Sequence, residues 1–149
     1  MIIAIITFFS FLIEYFINFK FGGTIFTGLI LFSSLIFLEP YFQNKKRKFF
    51  LFCFLIGFLY DFIYTGTYFM NAGFFLLFGV IINYFNHITP NNLFVLIFEL
   101  ICFIVFYRFL SFIFLFINGV VIFDFNILFR SIYSSIFSNV YFGYCLLIF

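Results

Sequence analysis

The sequence predicts an all-α integral membrane protein, folded as one bundle of six transmembrane helices. Of its 149 residues, 67% are hydrophobic and only 8% are charged, whereas a water-exposed surface usually carries about 25% charged residues. The apolar residues form long runs, such as Leu93 to Phe116, which favour helices over the period-two alternation of membrane β-strands. Because the polar breaks between the runs are short, residues 1–149 are predicted to form a single membrane domain without a separate soluble part.

Six apolar segments are separated by breaks that contain charged residues, glycine or proline. The predicted spans are 1–19, 24–40, 49–65, 72–87, 93–116 and 128–149. The second, third and fourth spans have about 16 or 17 residues, fewer than the usual ~20, so they would thin the bilayer locally or extend into the loops. Since residues 120–129 are themselves apolar, five spans plus a membrane-dipping segment is the alternative architecture.

Four of the seven basic residues stand together in one predicted loop, at Lys45, Lys46, Arg47 and Lys48. Basic loops of membrane proteins stay on the cytoplasmic side, so this run predicts that both chain termini are cytoplasmic. Contact of the run with anionic lipid or with a cytoplasmic partner is an alternative interpretation. The sequence has no arginine-rich surface of the kind that binds nucleic acid.

Polar and small residues recur at helical spacing in several predicted spans, and each set shares one helix face. The four faces are Thr7, Ser10, Glu14 and Asn18; Cys53, Gly57, Tyr60, Asp61 and Tyr64; Gly79, Asn83 and Asn86; and Ser131, Ser134, Ser135, Ser138 and Cys145. In lipid, small and hydroxylated residues drive helix packing through close approach and through hydrogen bonds of about 0.6 kcal/mol each. We therefore expect these faces to point into the bundle.

Ionisable residues inside the predicted spans need a function or a partner, because each costs roughly 2.5 to 3.5 kcal/mol on insertion scales. Counting about 1.5 Å per residue from the cytoplasmic side puts Glu14, Asp61 and Arg108 at similar depth in the outer half of the membrane. We hypothesise that Arg108 forms an intramembrane ion pair with Asp61, with Glu14 or with both. Helical geometry puts Glu99 on the opposite face of its helix from Arg108, and the role of Glu99 is left open.

The sequence contains no recognisable arrangement of residues for catalysis, metal binding or cofactor binding. The one histidine, His87, stands in a predicted loop without an associated nucleophile. Cys53, Cys102 and Cys145 stand singly in three apolar segments, so they are expected to be small core residues. The prediction is a non-enzymatic protein that needs no cofactor.

The segment from Gly57 to Gly73 carries a recognisable pattern. A basic run leads into an apolar helix with a glycine, followed by Leu-Tyr-Asp, a Thr-Gly turn and an Asn-Ala pair that opens the next helix. This segment resembles the MreD family, the rod shape-determining membrane proteins of bacteria. The family pattern matches at Gly57, Leu59, Asp61, Gly66, Asn71 and Ala72, while Phe69 and Met70 stand where a Leu-Gly pair is common. The length, the hydropathy and Asn139 in a serine-rich last helix are also similar to that family.

The resemblance implies a non-catalytic scaffold of the cell-elongation machinery in the bacterial cytoplasmic (inner) membrane. MreD-like proteins act with MreC, with the MreB filament, and with the peptidoglycan polymerase and transpeptidase that insert lateral cell wall and so control cell shape. The implied fold is a six-helix bundle similar to the substrate-binding subunits of energy-coupling-factor transporters.

A vitamin-uptake subunit of the energy-coupling-factor type is therefore the alternative function. Such subunits usually dock their coupling protein through an Ala-x-x-x-Ala pattern on the first helix, which here has only Ala4. A pore is a third and weaker alternative, because the polar faces are distributed over several helices instead of being concentrated on one lining helix.

Overall fold

The computed structural model describes residues 2–21, 29–42, 45–65, 69–88, 93–122 and 124–148, and this part of the chain contains helices and no β-strand. The helices are α1 (Ile2–Phe21), α2 (Ile30–Phe42), α3 (Lys46–Tyr60) with a π-helical turn at Asp61–Thr65, α4 (Met70–Ile88), α5 (Leu93–Ile117) and α6 (Phe125–Ile148). By length and composition, α1, α4 and α5 are apolar enough to cross a membrane. The all-helical architecture is thus confirmed, these helices are consistent with a membrane protein, and the count of six spans stays a prediction.

The break predicted between the second and third spans, residues 41–48, is shorter in the structure. Helix α2 continues through Pro40 to Phe42, because a proline in the last turn removes only one intrahelical hydrogen bond. Helix α3 begins at Lys46, and the amide of Lys48 donates to the carbonyl of Lys45 at 2.9 Å. At its other end, α2 begins at Ile30 instead of residue 24, and residues 24–28 lie outside the described part of the chain.

Helix α2 lies at the centre of the bundle and contacts all five other helices. Nine of its thirteen residues are buried, as is Leu29 just before it. Burial on every side requires a helix that is mostly apolar all round, which matches its sequence ILFSSLIFLEPYF. Thirteen residues extend only about 20 Å, less than the ~30 Å thickness of a bilayer's hydrocarbon core, so the predicted membrane span at α2 stays a prediction.

Aromatic rings fill the contact between α2, α4 and α5. The ring centroid of Phe32 lies 5.4 Å from that of Phe75, 5.0 Å from that of Phe78 and 4.9 Å from that of Tyr107. Tilted and edge-on pairs of this kind contribute about 0.5 to 1.5 kcal/mol beyond the burial of their area. The phenylalanine-rich composition therefore builds a continuous core that sets the spacing of these three helices.

Helices α3 and α4 come into close contact at two glycines, Gly57 and Gly79. A Cβ atom added at Gly57 would lie 2.6 Å from the carbonyl oxygen of Asn71 and 2.7 Å from the Cα atom of Ala72. A Cβ atom added at Gly79 would lie 2.7 Å from the Sγ atom of Cys53. The missing side chain at Gly57 lets the two backbones touch, as small residues do in other membrane helix pairs.

The predicted inward orientation of the polar faces is confirmed for their central residues. Ser10, Glu14, Cys53, Gly57, Tyr60, Asp61, Gly79, Asn83, Ser131 and Ser135 are all buried. The outer surface consists mainly of exposed Phe, Leu and Ile side chains. The expectation of a core position is wrong for Cys102, which is exposed because it falls on the outer face of α5 between Phe98 and Phe106.

Each helix from α2 to α5 runs antiparallel to the next one along the chain. The rings of Phe42 in α2 and Phe49 in α3 lie 5.4 Å apart, and those of Phe85 in α4 and Phe103 in α5 lie 5.8 Å apart. The last turns of α2 and α4 therefore share one end of the bundle with the first turns of α3 and α5. We call this end, which carries residues 45–48, the basic end.

Replacing Gly57 by alanine tests the close contact of α3 with α4. Gly57→Ala is expected to destabilise the protein by about 1 to 3 kcal/mol, because the new methyl group would collide with main-chain atoms that cannot move aside cheaply. Gly73→Ala is the matched control, since no atom lies within 4 Å of a Cβ added there, and its stability should be unchanged or slightly higher. The measurement is the unfolding free energy in detergent, followed by circular dichroism. Equal stability of the two variants would contradict the contact.

Candidate functional site

The carboxyl group of Glu14 is fully buried and accepts three hydrogen bonds. Its Oε1 atom accepts from the amide of Leu29 at 3.0 Å and from the hydroxyl of Tyr60 at 2.9 Å, and its Oε2 atom accepts from the amide of Leu31 at 2.9 Å. Leu29 and Leu31 belong to the start of α2, where amides have no partner within the helix. Glu14 of α1 therefore supplies acceptors for the first turn of α2.

The carboxyl group of Asp61 plays the same part at the start of α4. Asp61 is buried, and its two oxygens accept from the side-chain amide of Asn71 at 2.7 Å and from the backbone amide of Ala72 at 3.0 Å. Ala72 lies in the first turn of α4. At two separate places in the bundle, therefore, an acid from a preceding helix accepts hydrogen bonds from the amides at the beginning of a later helix.

Both helices begin at a residue whose side chain offers no hydrogen-bond acceptor. The carbonyl of Leu29 accepts from the amide of Ser33, and that of Phe69 accepts from the amide of Gly73, so Leu29 and Phe69 are the N-cap residues of α2 and α4. An N-cap side chain normally supplies an oxygen to the second or third amide, which a leucine or phenylalanine cannot do. Both residues also have positive φ angles, 56° and 59°, which is unfavourable for large side chains. The carboxylates of Glu14 and Asp61 therefore replace the missing caps.

Four of the residues that resemble the MreD pattern meet in one contact. Asp61 and Asn71 share a hydrogen bond, the amide of Ala72 donates to Asp61, and Gly57 lies against the backbone of Asn71 and Ala72. The hydroxyl of Tyr107 in α5 donates to the side-chain oxygen of Asn71, which extends the contact to a third helix. Gly66, the fifth site residue taken from the pattern, lies outside the described residues.

Arg108 is buried in α5 and reaches towards α6. Its Nε atom donates to the hydroxyl of Ser135 at 2.8 Å. The hydrogen bonds given above for Glu14 and Asp61 come from backbone, hydroxyl and amide groups, and a direct ion pair of either acid with Arg108 stays a prediction.

A third buried acid, Glu39, was not among the predicted site residues. Its two carboxyl oxygens accept from the side-chain amides of Asn83 at 2.6 Å and Asn86 at 2.9 Å. The two asparagines are three residues apart and so share one face of α4, which the sequence identified as polar. The sequence analysis did not single out Glu39, because this residue stands beside Pro40 at the end of a predicted span.

The basic run occupies the surface at the other end of α3 from Asp61. Lys45, Lys46, Arg47 and Lys48 are all exposed, and the fifteen residues of α3 separate them from Asp61 by about 20 Å. The structure therefore brings Gly57, Asp61, Asn71 and Ala72 together, and it separates that group from the basic run. The position of the run on one side of a membrane stays a prediction.

The buried carboxyl groups of Glu14, Asp61 and Glu39 are arranged to hydrogen-bond neighbouring helices. Each of the three acids accepts hydrogen bonds from groups on another helix, and each acceptor removes a cost of about 1 to 3 kcal/mol that an unsatisfied buried donor would carry. Among the described residues, no three His, Cys, Asp or Glu side chains lie together as metal ligands would.

A double-mutant cycle between Asp61 and Asn71 tests the shared hydrogen bond. Because Asp61→Ala and Asn71→Ala each remove the same bond, the double variant should lose less stability than the sum of the two single variants, by at least about 1 kcal/mol. The free energy of unfolding in detergent is the measurement. The control cycle pairs Asp61→Ala with Tyr133→Phe, whose side chain is exposed on α6, and should be additive. Additivity in both cycles would contradict the contact.

Comparisons of the chain with protein-family models, with curated proteins and with solved structures found no match. The resemblance to the MreD family therefore depends on the residues of the segment 57–73, and the likeness to energy-coupling-factor subunits depends on that resemblance.

Proposed function

We propose that this protein is a non-catalytic membrane scaffold of the bacterial cell-elongation machinery, of the kind formed by MreD-like proteins. The observation that carries the proposal is the meeting of Gly57, Asp61, Asn71 and Ala72 in one contact. Those residues are the described site residues of the MreD-like pattern.

The contact gives the spacing of the pattern a physical reason. The glycine lets α3 touch the backbone at the start of α4, and the aspartate four residues later reaches the first turn of α4. The asparagine links the aspartate to Tyr107. This pattern fixes how α3 meets the start of α4. Such a role suits a protein whose partners recognise its shape and not a reactive group.

In this proposal the chain lies in the cytoplasmic membrane with both termini inside, and the exposed run at residues 45–48 faces the cytoplasm. The outer surface, rich in Phe, Leu and Ile, contacts lipid and the single membrane helix of an MreC-like partner. The MreB filament and the peptidoglycan polymerase and transpeptidase belong to the same assembly.

An energy-coupling-factor type uptake subunit is the second candidate. One observation favours it: the capped start of α2, with Glu14 and Tyr60, puts several polar groups inside an apolar bundle. The first helix lacks the small-residue docking pattern of such subunits, and the donors of Glu14 already belong to the protein. Equilibrium dialysis that found a tightly bound vitamin would reverse the preference.

Co-purification tests the scaffold proposal. The chain and the MreC-like protein of the same genome are co-expressed and extracted in mild detergent, and a tag on this chain is expected to retain the MreC-like protein. Gly73→Ala should retain it equally, because that position is open, whereas Gly57→Ala should retain less because it disturbs the α3–α4 corner. Depletion of the chain in its host should make the cells rounder. If the tagged chain does not retain the MreC-like protein and depleted cells keep their normal shape, the proposal is wrong.

A further inference from the structure

The basic run at residues 45–48 has no exposed counter-charge at its own end of the bundle. All four of its side chains are exposed. Four of the five acidic residues of the chain are buried: Glu14, Glu39, Asp61 and Glu99. Glu39, the nearest of them in sequence, already accepts hydrogen bonds from α4. The fifth acid, Asp124, lies between the far end of α5 and the start of α6. The charge of the run is therefore left for an anion from outside the chain.

The place of the run at the start of α3 adds to its unbalanced charge. Helix α3 has no acid in its first turn, and its N-cap residue, Lys45, forms no side-chain cap. Positive charges are unfavourable at the beginning of a helix, because the helix dipole is itself positive there. Adjacent cations also repel one another. An anion beside the run would offset both effects.

One cation of the run stands at the head of an exposed apolar face. Successive residues of an α-helix are rotated by about 100°, so Lys48 shares a sector about 80° wide with three leucines of α3. These are Leu51, Leu55 and Leu59, which are 61%, 48% and 44% exposed. We call the three residues the leucine stripe. The buried side of α3, with Cys53 and Gly57, faces away from it.

The other helical cations of the run lie on different sides of α3. Arg47 is rotated by only about 40° from Leu51 and so borders the leucine stripe. Lys46 lies within about 20° of Cys53 and Gly57, on the side of α3 that faces the bundle. The run therefore presents two cations, Arg47 and Lys48, on the outer side of α3, and Lys46 on the inner side.

The leucine stripe has the length of one leaflet of a bilayer. Eleven residues separate Lys48 from Leu59, which corresponds to about 16 Å along the helix. Half of a hydrocarbon core of about 30 Å is about 15 Å. Cations at the head of an apolar face of this length match an anionic lipid, whose phosphate and acyl chains are arranged in the same way. A free phosphate or an acidic peptide would leave the leucines without a role.

We propose that an anionic phospholipid binds along the outer face of α3. Its phosphate lies beside Arg47 and Lys48, and its acyl chains lie along the leucine stripe. Basic residues at a membrane surface each contribute roughly 1 kcal/mol of attraction to anionic lipid. The inference requires a membrane-embedded chain with the basic end at the level of the headgroups, and it does not rest on the proposed scaffold function.

The test is native mass spectrometry of the full chain in detergent, titrated with phosphatidylglycerol or with phosphatidylcholine of the same acyl chains. The first phosphatidylglycerol should bind at least about tenfold more tightly than the first phosphatidylcholine, because only the former has a net negative charge. Arg47→Gln and Lys48→Gln should each weaken phosphatidylglycerol about three- to tenfold and leave phosphatidylcholine unchanged. Lys46→Gln is the matched control: it removes the same charge on the inner side of α3 and should change the affinity less than about twofold.

Competition distinguishes a lipid from other anions. Glycerol phosphate, which has the phosphate but no acyl chain, and a polyglutamate peptide should not displace phosphatidylglycerol at millimolar concentration. Displacement by either one would show that the leucine stripe contributes nothing, and would overturn the proposal.

Photolabelling locates the lipid in vesicles of phosphatidylethanolamine and phosphatidylglycerol. A phosphatidylglycerol with a diazirine in its acyl chain should label residues 48–59 in the wild-type protein and in Lys46→Gln, and should label them much less in the double variant Arg47→Gln, Lys48→Gln. Circular dichroism checks that each variant is folded. Equal wild-type affinity for the two lipids, equal losses in Lys46→Gln and Lys48→Gln, or labelling that is indifferent to the double variant would contradict the site.

Discussion

The bundle depends on carboxyl oxygens that accept hydrogen bonds from backbone amides at the beginnings of two inner helices, where an amide has no partner within its own helix. Water satisfies such amides at a protein surface, but an apolar interior offers no such partner, and an unsatisfied amide there costs several kcal/mol. Glu14 satisfies the start of α2, and Asp61 satisfies the start of α4. Because α2 contacts every other helix, its starting point fixes where the other five can lie.

These caps also explain why acids are tolerated in so apolar a chain. A lone carboxylate in lipid would be expensive, but one that accepts two or three hydrogen bonds replaces much of the hydration it has lost. The Asp61 cap is joined to the glycine contact at Gly57 and to Tyr107 through Asn71. A short segment of sequence therefore determines how α3, α4 and α5 meet, which is the basis of the proposed scaffold function.

The sequence predicted the helical class, the inward polar faces and the special status of Asp61, because each depends on side-chain type and periodicity. It did not predict the donors to Glu14 and Asp61, since backbone amides occur at every residue and no pattern marks which of them lack a partner. Leu29 and Phe69 are also poor signals for helix starts, because neither side chain can act as a cap. Glu39 was missed for a related reason: its partners, Asn83 and Asn86, lie 44 and 47 residues away in sequence.

Amide hydrogen exchange at individual residues tests the capping of inner helices most directly. The protein in lipid nanodiscs is compared with Glu14→Ala and Asp61→Ala by nuclear magnetic resonance. If these carboxyl groups cap the helices, Glu14→Ala reduces protection at Leu29 and Leu31 while Ala72 stays protected, and Asp61→Ala reduces protection at Ala72 while Leu29 and Leu31 stay protected. Protection that falls equally at all three amides in both variants, or at none of them, would contradict this capping.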